Sequence, residues 1–278
     1  MSAAAATFAA PMATEAHASA RTPQRIVSLN PCLDAILVHV ADRAQIGALS
    51  HYAREAQSSP IAELAQDLPV TFETAEEIVA LSPDLVLAST HSAVATRRAL
   101  DRLGVEVATF AVPNTVAESV AQIRDVAGRV GQPARGEALV GRIERALHEA
   151  APRLNRPPVR ALVFQARGLA PGRGTLLDEM LARTGFENMA SAYGVGLWGN
   201  VRLESLVANP PDLLLCGEAA PGAPTWAERL LSHPALARIG PRMKRATFPE
   251  SCLYCGGPVL LRTAPLLAAA REAYWRGA

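Results

Sequence analysis

The chain has 278 residues, of which 50% are hydrophobic and 19% charged, and its net charge is +1. That is enough apolar material for two modest domains and excludes general disorder. The near-neutral charge, with no basic stripe interleaved with aromatics, removes the argument for a nucleic-acid partner, and no apolar run is long enough to span a membrane.

Residues 1–20 are a different material: Ala-rich, without Lys or Arg, and ending in Ala18-Ser19-Ala20. That ending fits the small-x-small pattern before a secretory cleavage site, so export to the periplasm is expected. A positive n-region is missing and Pro11 interrupts the apolar stretch, so the alternative is a disordered leader. No lipobox Cys is present, and a free, monomeric protein is expected.

Arg25-Ile26-Val27-Ser28-Leu29 reads as a strand, ending at Asn30-Pro31-Cys32. A helix begins at Leu33 with Asp34 in its first turn. Residues 46–50 form a second strand, followed by His51-Tyr52-Ala53-Arg54 and an irregular stretch. Then comes a dozen residues that occur twice. Glu76-Glu77-Ile78-Val79-Ala80-Leu81-Ser82-Pro83-Asp84-Leu85-Val86-Leu87 returns as Glu204-Ser205-Leu206-Val207-Ala208-Asn209-Pro210-Pro211-Asp212-Leu213-Leu214-Leu215. The two copies start 128 residues apart, too far for a solenoid and right for two similar lobes. Each reads as a short helix stopped before Pro, a Pro-Asp turn, and a strand buried on both faces.

After the first copy, Thr90-His91-Ser92 leads into a helix through Leu103, capped by Gly104, and residues 105–110 form a strand. From 115 to 154 apolar positions recur at helical spacing only, and Gly131-Gln132-Pro133 divides them into two helices, the second one long. Alternation resumes with a strand over 159–164 and its end at Gln165-Ala166-Arg167-Gly168. A turn at 172–175, a helix over 176–184 and an irregular loop over 185–200 carrying Trp198 precede the second copy. Short helices near 226–231 and 234–236, a strand at 246–248 and a terminal helix over 257–274 complete the chain. The expected fold is α/β: two lobes with parallel-sheet cores joined by one long linking helix, stiff across its hinge. The expected divisions are a leader at 1–20, an N-terminal lobe at 21–113, a helical linker at 114–156 and a C-terminal lobe at 157–278.

These residues carry a resemblance. The order Arg-Ile-Val-Ser-Leu, the first copy, a linking helix and the second copy resembles the helical-backbone class of periplasmic substrate-binding proteins of ABC transporters, over about residues 25–274. Members bind vitamin B12, ferric siderophores or haem. The resemblance implies that Glu76 and Glu204 lie on the outer surfaces of the two lobes and dock onto arginines of a permease dimer that works with an ATPase. Two exposed carboxylates at fixed separation give orientation more than affinity. The alternative reading is that both are helix-start acids favoured by the dipole. In the vitamin B12-binding member a Trp six residues before the second Glu lines the ligand cleft, and Trp198 occupies that place.

Ligand in such sheets sits beyond the carboxyl ends of the strands. The candidate contacts are therefore Cys32, His51, Tyr52, Thr90, His91, Gln165, Arg167, Trp198 and Glu218. Tyr52 and Trp198 also read as half-buried aromatics, the two histidines as solvated side chains, and Arg167 as the partner of a nearby acid. The apolar platforms and the scarcity of Arg and Lys favour a corrinoid over an anionic siderophore.

Four cysteines depart from the family pattern: Cys32, Cys216, Cys252 and Cys255. In an oxidising compartment one disulfide is expected, either Cys252–Cys255 or Cys32 with one of those two, while Cys216 reads as a buried small hydrophobe. A single Cys-x-x-Cys without a second pair is weak as a zinc site. A thiolate or His near the cleft could also ligate the metal of a bound chelate; the rival functions are metal-ion binding through the Cys and His residues, or thiol oxidoreduction by Cys252 and Cys255. No hydrolase elbow, zinc-protease motif or P-loop occurs, so no enzyme is expected and no cofactor is implied beyond the carried metal chelate.

Overall fold

The structure is a computed structural model and describes residues 22–153, 156–165, 168–217, 234 and 242–277. Two parallel sheets form the two lobes. The first has the order β3-β2-β1-β4-β5, built from β1 (Ile26–Ser28), β2 (Ile46–Ser50), β3 (Val70–Thr71), β4 (Leu85–Ser89) and β5 (Val107–Phe110). The second is β11-β10-β6-β8, from β6 (Val159–Phe164), β8 (Phe186–Asn188), β10 (Leu213–Cys216) and β11 (Lys244–Thr247). A separate antiparallel ribbon pairs β7 (Leu169–Pro171) with β9 (Trp198–Asn200).

The repeated dozen does the same job in each lobe. In the first, α2 (Ala75–Ala80) leads through Pro83-Asp84 into β4; in the second, α7 (Leu203–Ala208) leads through Pro211-Asp212 into β10. Asp84 accepts from the backbone N–H of Gln24 and Arg25, beside the start of β1. Asp212 accepts from the N–H of Arg160 in β6. The Asp of each copy is thus more than a turn residue. It ties the entrance of its own strand to the neighbouring strand, satisfying donors left open where pairing begins.

Helix starts follow their sequence signals. Asn30 caps α1 (Pro31–Val40), its Oδ1 accepting from Cys32 N and Leu33 N, with Pro31 in the first turn. Thr74, Thr115 and Thr175 do likewise for α2, α4 (Val116–Arg129) and α6 (Leu176–Arg183). Each such cap contributes about 1 kcal/mol. The other α-helices with bounds among the described residues are α3 (Val94–Arg102), α5 (Pro133–Ala150) and α8 (Leu260–Arg276).

The segment between the lobes holds two helices, α4 and the long linking helix α5, divided as expected at Gly131-Gln132-Pro133. Gly131, at φ +77°, makes the turn between them, and Gly136 lets them approach closely: a Cβ there would lie 2.5 Å from that of Ala127. Helix α5 packs against α1, α4 and α8. One continuous hydrophobic cluster runs from Ile26 and Leu33 through Ile123 and Ile143 to Val163, Leu215 and Leu267. The two sheets therefore share a core instead of swinging on a flexible link.

The structure corrects several expectations. The loop at 185–200 contains two strands, β8 and β9, and β3 was not foreseen. Helix α3 starts at Val94. Cys216 is half-buried at the end of β10. The helix expected near 226–231, and nearly all of that near 234–236, lies outside the described residues.

Candidate functional site

A cavity of about 740 Å³ opens between the lobes. Asn30 follows β1, Tyr52 follows β2, His91 follows β4 and Asn114 follows β5, so the N-terminal lobe contributes the carboxyl ends of its strands. The C-terminal lobe contributes Trp198 and the segment after β11 that carries Glu250 and Tyr254. The cavity thus occupies the crevice where open parallel sheets hold ligands.

Its walls are aromatic and its rim is acidic. Trp198 and Tyr254 stack with ring centres 5.9 Å apart at 27°, forming one platform on the C-terminal side. Both keep an exposed face, at 40% and 47%. Tyr52 stands on the N-terminal side. Glu55 and Glu250 line the cavity, and no Lys or Arg does so among the described residues. Burial, and secondarily the Glu250 carboxylate, push the Tyr254 hydroxyl above its ordinary value, so it stays a neutral donor at physiological pH.

The cavity floor is covalent. A disulfide joins Cys32, in the first turn of α1, to Cys255, ahead of α8, and both line the cavity. This bond links elements from opposite lobes. Around it, Gly257 N–H donates to Ser119 Oγ at 2.7 Å and Val116 N–H donates to Glu179 Oε2 at 2.7 Å. Cys252 is a buried free thiol whose pKa burial pushes up, and Cys255 is bonded to Cys32. Of the expected pairings, the structure has Cys32 with Cys255 and not Cys252 with Cys255.

Of the expected contacts, Cys32, Tyr52, His91 and Trp198 line the cavity. His51 does not. It lies behind Tyr52, ring centres 3.9 Å apart, and stacks on Phe72 at 5.1 Å. Its Nδ1 is 4.0 Å from Glu73 Oε1 and finds no hydrogen-bond partner among the described residues. Thr90 is exposed outside the cavity, its N–H donating to Phe110 O across the sheet end. Gln165 is buried, and its side-chain amide donates to Phe248 O, holding β6 to the segment after β11. Arg167 and Glu218 lie outside the described residues.

Sequence reading missed Tyr254 because it sat inside what looked like a cysteine motif. Glu55 was missed because its surroundings carry no periodic signal. Asp34 was read as a helix-start acid, yet it is fully buried and accepts from Ser50 N and Ser50 Oγ. Burial pushes its pKa up to about 7 against the lowering effect of the Ser28 and Ser50 hydrogen bonds. The one available signal was its placement one turn into a helix beside two strand-end serines.

Glu76 and Glu204 each sit exposed in the first turn of α2 and α7, and neither makes an ion pair or hydrogen bond among the described residues. The adjacent Glu77 is spent locally, accepting from Thr71 Oγ1 and Phe72 N. Among the described residues no group of three or more His, Cys, Asp or Glu converges in a way that could hold a metal ion, and no helix is long and apolar enough to cross a membrane.

Residues 26–241 match the family model described as periplasmic binding protein. Similar solved structures include the periplasmic heme-binding protein RhuT from Roseiflexus sp. RS-1, 24% identical over 91% of this chain and 98% of that one, with a TM-score of 0.70. The periplasmic vitamin B12 binding protein BtuF of Vibrio cholerae is 17% identical over 92% and 99%, at 0.68. Helicobacter pylori CeuE with Ni(II) bound is 18% identical over 93% and 87%, at 0.71. No curated protein sequence matches the chain.

Proposed function

The chain belongs to the periplasmic binding protein family, and from that premise we propose that it receives a corrinoid in the cleft and delivers it to an ABC importer. The observation that carries the choice of ligand is the cleft's charge. Glu55 and Glu250 line it, with Asn30, Asn114, Ser58 and Ser59, and no Lys or Arg does so among the described residues. Haem carries propionates, and ferric siderophores are commonly anionic at neutral pH. Either would meet two carboxylates without a described cationic partner, an arrangement that costs several kcal/mol when desolvated. A corrinoid presents neutral amides at its edge. These donate to carboxylates and to Asn and Ser oxygens, while the flat macrocycle covers the Trp198 and Tyr254 platform.

No chemistry on the ligand is required. The cleft holds it, and Glu76 and Glu204 present one unpaired carboxylate per lobe to the permease. Metal-ion binding is disfavoured by the lack of a ligand cluster among the described residues. Thiol oxidoreduction is disfavoured by the burial of Cys252 and the bonding of Cys255 to Cys32. The test is calorimetric titration with cyanocobalamin. One-to-one binding, weakened about 30-fold by Trp198→Ala, is expected, since losing such an anchor costs about 2 kcal/mol. Binding unaffected by that change would remove the cleft from the reading.

A further inference from the structure

A second cavity, about 590 Å³, lies at the other end of the C-terminal lobe. Pro157 and Pro158, just ahead of β6, and Gly185, just ahead of β8, line it. It therefore sits at the amino ends of the strands, whereas the cleft sits at their carboxyl ends. Trp275 and Pro152 complete an apolar wall, and four arginines surround it: Arg153, Arg156, Arg271 and Arg276, against the single acid Glu272.

Part of that charge has a structural use. Helices α5, α6 and α8 all end here, and carbonyls at helix C-termini attract cations. Arg271 answers them. Its Nη1 donates to Ala150 O at 2.9 Å and Thr184 O at 2.6 Å. Its side chain is only 10% exposed, and among the described residues its Nη2 meets just the Glu272 carboxylate, at 3.7 Å. The other three arginines are surplus to this role. Arg153, Arg156 and Arg276 make no hydrogen bond or ion pair among the described residues, and Arg156 lies over the Trp275 ring at 5.0 Å. On a chain of net charge +1, three guanidiniums around one apolar hollow, none with a carboxylate partner among the described residues, form a local positive excess that favours an anion.

We propose that this cavity binds a small oxyanion, a carboxylate, sulfonate or phosphate, carried on an apolar or aromatic body. The guanidiniums offer planar forked donors for the anionic head. The proline and indole walls take the body. This site does not depend on the reading of the cleft, and either can fail alone.

The probe is 1-anilinonaphthalene-8-sulfonate, read by quenching of Trp275 in a Trp198→Phe/Trp226→Phe background that leaves it the sole tryptophan. Saturable quenching is expected, displaced by benzoate and not by benzamide. Removing the three exposed arginines together (Arg153→Ala, Arg156→Ala, Arg276→Ala) should weaken it at least about tenfold, and Glu272→Gln should tighten it about twofold. These side chains are exposed or rim-facing, so circular dichroism should be unchanged. Unsaturable quenching, equal displacement by benzamide, or less than about a twofold loss in the triple variant would each overturn the proposal.

Discussion

Replacing both ends of the inter-lobe disulfide, Cys32→Ser with Cys255→Ser, tests how the lobes are held together. The bond closes a loop of 223 residues. In the chain-entropy account, a loop of that size stabilises the folded state by about 5 kcal/mol, by restricting the unfolded chain. Native geometry should change little without it. Cys32 stands in a helix turn capped by Asn30, and Cys255 lies two residues from Gly257, which is tied to Ser119. Cys255 packs against the one continuous core and Cys32 adjoins Leu33, a member of it, so urea unfolding should remain a single transition. The double variant is expected to lose about 5 kcal/mol, and reduced wild type should match it. Cys252→Ala should cost about 1 kcal/mol of packing and leave the response to reductant intact. A loss under about 1 kcal/mol in the double variant, or reductant sensitivity that follows Cys252, would refute the assignment of the bond and its loop.

Asp34 gives a pH signature. Its folded-state pKa is raised, to about 7 from 3.8. The unfolded chain therefore gives up this proton first, and the stability it contributes is complete below pH 3.8 and lost as pH rises to about 7, amounting to about 4 kcal/mol. Asp34→Asn should flatten the stability profile across that window, and a profile parallel to wild type would show that Asp34 ionises freely in the fold. Tyr254→Ala should weaken corrinoid binding by about tenfold through loss of half the aromatic platform, measured by calorimetry; unchanged affinity would remove Tyr254 from the site. Glu76→Lys with Glu204→Lys should abolish co-purification with the permease while leaving ligand affinity within about twofold. A loss of ligand binding instead would place these carboxylates in the wrong role.

What the sequence revealed depended on the range of the interactions involved. The repeated dozen is a local pattern, helix then Pro-Asp then apolar strand, and it identified both lobes because each part of it acts within a few residues. Residues just past strand ends were legible as a class, which is how Tyr52 and His91 were found, whereas Trp198 was placed by the resemblance, six residues before Glu204. Which of them face the cleft was not legible, because that depends on neighbours far along the chain. His51 turns away to stack between Tyr52 and Phe72, and Gln165 turns away to hold Phe248, 83 residues later. Trp198 looked like loop because its partner strand, β7, is only three residues long. The pairing of Cys32 with Cys255 over Cys252 required knowing that α1 and the segment ahead of α8 meet across the cleft floor. Asp34 shows the same limit: its charge environment is set first by burial and then by Ser28 and Ser50 on two strands, and its place in the first turn of a helix gives none of this.

The central claim is that a cleft with aromatic walls and an acidic rim selects a neutral-edged corrinoid. The most direct measurement is a side-by-side titration of the apo protein with cyanocobalamin and with haemin, followed by absorption and calorimetry at matched ionic strength. The account predicts saturable one-to-one binding of cyanocobalamin, with haemin at least about tenfold weaker. Haemin binding more tightly than cyanocobalamin, or no binding of the corrinoid, would contradict it.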